Sequence, residues 1–360
     1  MRIAIAANKC LPFHAASLEE QPLGGTETAV IRLAQQLAAL SQEVSVYTGC
    51  QSPPPSVPSY FQLSKLEELK EVDILIAVRD WMQVFLPLKA KRRFFWTGDS
   101  YDQLPCIGIG DVRVHSRLDA LLAVSSWHAL TVSSRSGFPI EKTWVIRNGV
   151  YLPYFQGKET RHRKRLIYSS TPYRGLQLAP ELYSALREKH PELELHIFSG
   201  YEVYGGAENY DKTAAKEFEA LKARLSALPG CTVHGNRKQS ELAREFMKSS
   251  LLFYPNTFEE TSCMTAMEAQ AAGCAIVTSD MGALPETVGD AGILVPGKPG
   301  SPAYNKAFIE AADQLLSDDN LFQRCSEIGI QRAKSEFDWG QVAARFLRFL
   351  EQSPLEMSRA

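Results

Sequence analysis

Residues 258–273 place two carboxylates, Glu260 and Glu268, eight positions apart around a short polar stretch. Ser262 is an N-cap candidate, and Met264, Met267 and Ala271 follow at helical spacing before a stop at Gly273. With the apolar run Leu251-Leu252-Phe253-Tyr254 upstream, the pattern predicts strand, loop, helix, Glu260 preceding the helix and Glu268 lying in its second turn. The N–H groups of Ser262, Cys263 and Met264 would then form an anion site, because the first turn of a helix has unpaired donors and a positive dipole end. Ionised carboxylates accept charge-assisted hydrogen bonds from hydroxyl groups. A diphosphate flanked by two hydroxyl-rich sugars fits this set, whereas spacing alone is equally met by a solvated pair of surface glutamates.

Other residues offer related chemistry. Gly24-Gly25-Thr26-Glu27 opens a long helix, where paired glycines let backbone approach a ligand and Thr26 is placed to cap; an ordinary loop and cap is the alternative. Arg174-Gly175, after Ser169-Ser170-Thr171-Pro172-Tyr173, sets a guanidinium where it could neutralise a leaving diphosphate bidentately, in place of a metal. Gly235-Asn236-Arg237 offers a second guanidinium, equally readable as surface. Asp99 in Trp96-Thr97-Gly98-Asp99 either orients an acceptor hydroxyl or caps the next turn, and Arg79-Asp80 is either an acceptor-binding pair or a surface ion pair. The histidines share no metal-ligand spacing, so no metal site is expected, and P-loop and elbow-serine motifs are absent.

The elements that must carry these residues alternate. Strand-like runs at 3–6, 44–47, 74–78, 94–96 and 121–124, with a helix near 26–40, are followed by a pause at 148–158 rich in Asn-Gly, proline and charge. The scheme restarts at 166–168 and repeats at 193–198, 232–233, 251–254, 275–277 and 293–295, with helical stretches such as 217–228 between. Continuous apolar strands separated by helices mean parallel, helix-covered sheets. The expected architecture is α/β, two doubly wound Rossmann-like domains facing a cleft: 1–150, a linker at 151–164, 165–338, and a terminal helix in 339–360 that either crosses back to the first domain or caps the second. Ligands of such sheets sit beyond the carboxyl ends of the strands, which is where the residues above fall.

Composition agrees. A chain of 360 residues, 45% hydrophobic, buries a core large enough for two domains, and a net charge of −2 argues against nucleic-acid binding. The basic runs at 89–93 and 161–165 are either solvated surface and linker or a peripheral contact with anionic lipid. Seven scattered cysteines without ligand spacing read as reduced thiols of a cytoplasmic protein, and there is neither a signal-like N-terminus nor an apolar run near 18 residues. The polar tract 201–214 and the loops 9–23 and 99–110 carry no decodable pattern.

Residues 258–273 and their continuation through Ala275-Ile276-Val277 to Met281-Gly282-Ala283-Leu284-Pro285-Glu286 resemble the E-x7-E region of retaining glycosyltransferases with the GT-B fold, family 4-like, the glycosyl transferases group 1. The resemblance covers most of the chain, is densest over 251–297, and extends in the first half to the glycine loop at Gly25. It implies a hexosyl transfer from a UDP-, GDP- or ADP-sugar to a glycan, lipid-linked or small-molecule acceptor, with no cofactor and no divalent metal. It also implies that Glu268 grips the ribose, Glu260 contacts the transferred sugar, and Arg174 with the N–H groups of Ser262, Cys263 and Met264 holds the diphosphate. Retention is then explained by front-face attack without a protein base. The chain departs from the family pattern twice. Serines stand where an arginine is usual, making Arg237 a substitute, and Gly98 stands where a histidine is usual. Those departures keep two alternatives open, a binding protein without turnover and a sugar-nucleotide epimerase.

Overall fold

The structure is a computed structural model that describes residues 1–206 and 211–352. The chain divides into two units, one formed by Met1–Ser17, Gly25–Gly149 and the segment from Trp339, the other by Leu18–Gly24 and Val150–Asp338. The part of the 201–214 tract at 207–210 and the chain after 352 lie outside the described residues.

The first unit is built on a parallel sheet of seven strands among the described residues: β1 Arg2–Ala7, β2 Glu43–Thr48, β3 Ser59–Gln62, β4 Glu71–Val78, β5 Lys89–Trp96, β6 Ala120–Ala123 and β7 Thr143–Val145, ordered β3-β2-β1-β4-β5-β6-β7. Ile3, Ile5, Val46, Leu75 and Ile76 are buried because both faces of a parallel sheet are covered by its crossovers. The helix Gly25–Ala39 buries Val30, Ile31, Leu33, Ala34 and Leu37. The helix Trp339–Gln352 buries Trp339, Val342, Ala343, Phe346 and Leu350, a one-face spacing. Its Phe349 ring stacks on Trp144 at 4.4 Å and its Phe346 meets Phe94 at 6.1 Å, so this helix packs within the first unit. Each buried aromatic there contributes about 1.5–3 kcal/mol of transfer free energy.

The second unit has six parallel strands among the described residues: β8 His162–Ser169, β9 Glu194–Phe198, β10 Cys231–Val233, β11 Ser249–Tyr254, β12 Ala275–Ser279 and β13 Gly292–Val295, ordered β10-β9-β8-β11-β12-β13. Every residue of β11 is buried, and Phe253 packs edge-on to Phe308. In each sheet the strand order reverses once: between β1 and β4 in the first unit, and between β8 and β11 in the second. A crevice at such a reversal, beyond the carboxyl ends of the strands, is where open α/β sheets bind ligands.

The short edge strands β3 and β7 carry no apolar run in the sequence. Both basic runs lie largely on strands, and several of their side chains are paired. Residues 89–93 belong to β5, where Arg93 donates to the Val84 and Leu88 carbonyls and Lys91 pairs with Asp73 at 2.7 Å. Residues 162–165 open β8 rather than the linker, with Arg163 over the Phe322 ring at 3.8 Å and Arg165 paired with Glu245. No helix among the described residues is long and apolar enough to cross a membrane.

Candidate functional site

At the β8/β11 reversal the loops that leave the two strands meet. Arg174, five residues past the end of β8, donates from Nη1 to both oxygens of Glu260, six residues past the end of β11, at 2.7 Å each. Tyr254, the last residue of β11, donates its phenol O–H to Glu260 Oε1 at 2.6 Å, and Ser170 Oγ lies 3.2 Å from that phenol oxygen. Glu260 is 2% exposed, and the Arg174 side chain is about a quarter exposed. The guanidinium lies against two rings, 4.6 Å from the Phe258 centroid and 5.7 Å from that of Tyr173. Burial opposes charging of Arg174, but Glu260 together with Tyr254, Tyr173 and Tyr204 outweighs it and raises the guanidinium pKa well above its ordinary value, so it stays charged. Its Nε is buried with no acceptor among the described residues.

Two glycines make this meeting possible. Gly175 has φ +100°, and a Cβ there would lie 2.0 Å from the Pro255 carbonyl, so only glycine lets the Arg174 loop close on the β11 loop. Gly282, φ +58°, would bring a Cβ within 2.5 Å of the Glu260 carbonyl, an oxygen that also accepts the Ala283 N–H at 2.7 Å. The run Met281-Gly282-Ala283 thus fixes the Glu260 backbone from behind.

The helix that follows spans Met264–Ala271, and its N-cap is Cys263, not Ser262 as the sequence suggested. Cys263 gives no side-chain cap bond, and the first turn carries the positive end of the helix dipole. Thr265 anchors this turn by donating to the Ser169 carbonyl at 2.6 Å. Ser262 Oγ is buried without a partner among the described residues. Glu268 sits in the second turn, 7% exposed, and accepts from Gln239 Nε2 at 3.0 Å. Burial and then the Glu260 charge push the Cys263 thiol up, so it is no nucleophile.

Further along the same strand ends, Ser199 Oγ and Asn236 Oδ1 are also buried without partners among the described residues. Gly235 has φ +71° with open space where a Cβ would point, whereas Arg237 is exposed and among the described residues reaches the Asn236 carbonyl at 3.3 Å. His234 stacks on Phe198 at 4.6 Å and shares a 3.0 Å hydrogen bond with His196.

The β1/β4 reversal in the first unit gathers a second polar cluster. Arg79 grips both Asp99 oxygens, at 2.9 and 2.7 Å, and donates to the Lys9 carbonyl at 3.2 Å. Thr97 Oγ1 adds a 2.8 Å bond to Asp99, which is 8% exposed. Arg79 therefore pairs with Asp99, not with Asp80 as a surface pair. Asp80 is buried, accepts from Asn8 and Gln83, and caps the turn Trp81–Phe85. Lys9 and Arg79 both take positive φ, 54° and 58°, a strained choice for side chains with a Cβ. Glu27 accepts the Leu11 N–H at 3.0 Å, and burial raises its pKa. Gly25 is the first residue of its helix and exposed, so Thr26 lies inside the first turn and is not the cap. At Gly98 an added Cβ meets only Val124 methyls at 3.9 Å, so the absent side chain is not excluded by packing.

Residues 159–332, nearly all of the second unit and containing every side chain of the β8/β11 cluster, match the family model for glycosyl transferases group 1. That segment belongs to the glycosyl transferases group 1 family. The chain is 28% identical over 244 residues to the MMP alpha-(1->4)-mannosyltransferase of Mycolicibacterium hassiacum, a match covering 67% of this chain and 56% of that protein. It is 28% identical over 176 residues to the D-inositol 3-phosphate glycosyltransferase of Corynebacterium glutamicum, covering 48% and 39%. The match thus spans about half the length of these relatives. Among solved structures, HepE of Anabaena in complex with UDP-glucose superposes with a TM-score of 0.71 at 13% identity over 98% of this chain and 99% of that one. A sucrose-phosphate synthase from Thermosynechococcus elongatus gives 0.68 at 15% identity over 98% of each. The chain has the GT-B fold.

Within the group 1 segment, the structure brings Arg174, Glu260, Ser262, Cys263, Met264 and Glu268 to the strand ends around the β8/β11 reversal, with Gly235 and Arg237 on the loop after the edge strand β10. Asp99 and Gly25 lie in the first unit. Sequence reading passed over Tyr254, Ser170, Phe258 and Tyr173. The available signal was a tyrosine as the last residue of a strand that ends at a reversal, where a hydroxyl has no reason to be apolar filler.

Proposed function

We propose that the protein is a retaining glycosyltransferase that moves a hexosyl unit from a nucleotide diphospho-sugar, without a divalent metal, to a sugar, lipid-linked or small-molecule acceptor. The observation that carries this is the Arg174–Glu260 pair beside an uncapped helix start at the reversal of a group 1 segment. In this reading Glu268 takes the ribose hydroxyls, Glu260 a hydroxyl of the transferred sugar, and Arg174 with the first-turn N–H groups the diphosphate. Arg237, exposed and without an ion pair among the described residues, supplies the second positive charge when the donor arrives. The C1–phosphate bond breaks as the acceptor oxygen bonds C1 from the same face, and the acceptor proton passes to the departing phosphate oxygen. Asp99 orients Arg79 rather than acting as a base, since three donors already occupy its oxygens.

Both named relatives are glycosyltransferases and one solved neighbour holds UDP-glucose, which supports the donor class. Seven unpaired cysteines support a reducing compartment such as the cytoplasm. The test is release of nucleotide and formation of glycoside from UDP-, GDP- and ADP-sugars in EDTA, with the product anomer read by NMR. Transfer with retained configuration is the expected result. Tight donor binding without turnover would favour the binding-protein reading, which the occupied Asp99 and the glycine at position 98 support. Conversion of donor to an isomeric donor without acceptor would identify an epimerase.

A further inference from the structure

We propose that Tyr254 is a positioning residue of this site, one that loads a single oxygen of Glu260 and so decides which oxygen remains for the sugar; the proposal rests on the donor-site reading above. Glu260 Oε1 accepts from both Arg174 Nη1, at 2.7 Å, and Tyr254, at 2.6 Å, which fills its two lone pairs. Among the described residues Oε2 accepts only from Arg174, at 2.7 Å, so one lone pair is left. Without the phenol the two oxygens would be equivalent partners of one N–H2 group, and the carboxylate could turn about its last bond, a torsion with broad wells. Tyr254 is fully buried on β11, which fixes its ring. Burial, followed by the Glu260 charge, holds its pKa well above that of an ordinary phenol, so the O–H remains a donor. With that proton given to Glu260, Ser170 is the partner that donates to the phenol oxygen, making an ordered chain from Ser170 through Tyr254 to Glu260.

Tyr254→Phe removes one oxygen from a packed site and leaves no cavity beyond it. Expected are a fall in kcat of about ten- to a hundredfold, a donor KM within about twofold of the parent, and unchanged affinity for the nucleotide diphosphate alone. In a Glu260→Gln background the same change should cost clearly less, because the charged oxygen that Tyr254 positions is gone. Ser170→Ala should lower kcat in the same direction by a smaller factor, and covers the case in which Tyr254→Phe fails to fold. An unchanged kcat in Tyr254→Phe, or a loss that persists in full in the Glu260→Gln background, would overturn the proposal. Should the wild-type chain turn over no donor, the transferase reading fails on its own. The positioning claim is then read from a crystal structure of unliganded Tyr254→Phe, which is expected to show the Glu260 carboxylate turned from its place beside Arg174. An unmoved carboxylate would refute it.

Discussion

Replacing Glu260 by Gln keeps the shape of the side chain and removes its charge, so its cost can be worked out atom by atom. Oε1 takes two donors and Oε2 one, all within 2.7 Å. The amide must put its NH2 on one of these positions, and the cheaper choice is Oε2, where it opposes only Arg174 Nη1. Glu260 is 2% exposed and the Arg174 side chain about a quarter exposed, so the pair is largely withdrawn from water. Uncoupling a buried pair costs about 3–5 kcal/mol, and the amide oxygen kept on Tyr254 returns about 1 kcal/mol. A net loss of about 2–4 kcal/mol remains, which for a unit of this size lowers the melting temperature by about 4–16 °C. Differential scanning calorimetry is the assay. The same variant should lose turnover while holding or gaining affinity for the nucleotide diphosphate, because Arg174 is released to it. A melting temperature within about 1 °C of wild type would refute the reasoning that this pair is desolvated and mutually held.

Three further outcomes are expected. Glu268→Ala should weaken nucleotide affinity by about ten- to a hundredfold in calorimetric titration, with unchanged affinity refuting the ribose assignment. Gly282→Ala should destabilise the second unit, since a Cβ there meets the Glu260 backbone at 2.5 Å in a conformation L side chains avoid, and a thermal melt matching wild type would contradict that. In the first unit His128 is buried, its Nδ1 accepts the Val124 N–H at 3.2 Å and its Nε2 donates to the Asp99 carbonyl at 2.8 Å. Burial lowers its pKa from 6.5 to about 4. The unfolded chain therefore gains a proton that the native state refuses, and stability falls as pH drops from about 6.5 to 4, by roughly 3 kcal/mol in all. All five tryptophans lie in this unit, so fluorescence-monitored denaturation reads it, and His128→Gln should flatten the slope.

The strands with continuous apolar runs were legible because burial on both faces leaves an unbroken Val, Ile, Leu and Phe signature, as in 74–78 and 251–254. Edge strands β3 and β7 were not, since Ser59–Gln62 and Thr143–Val145 carry no such run. Glu260 and Glu268 could be placed before and within their helix from helical spacing alone. Their partners could not, because pairing of Arg174 with Glu260, 86 positions apart, depends on which strands are neighbours, and strand order is not written in local pattern. The same reason explains Arg79, whose sequence neighbour Asp80 was the obvious partner, while the parallel alignment of β4 with β5 brings it to Asp99. Ser262 lost the cap to Cys263 because the helix starts one residue later than residue preference indicates.

The most direct test of the central claim, a nucleotide-sugar site at the β8/β11 reversal, is calorimetric titration of the protein with UDP, GDP, ADP and their hexose conjugates in EDTA. Saturable binding of one nucleotide series, one molecule per chain, is the predicted result. Absence of binding by every member of the panel would contradict the account.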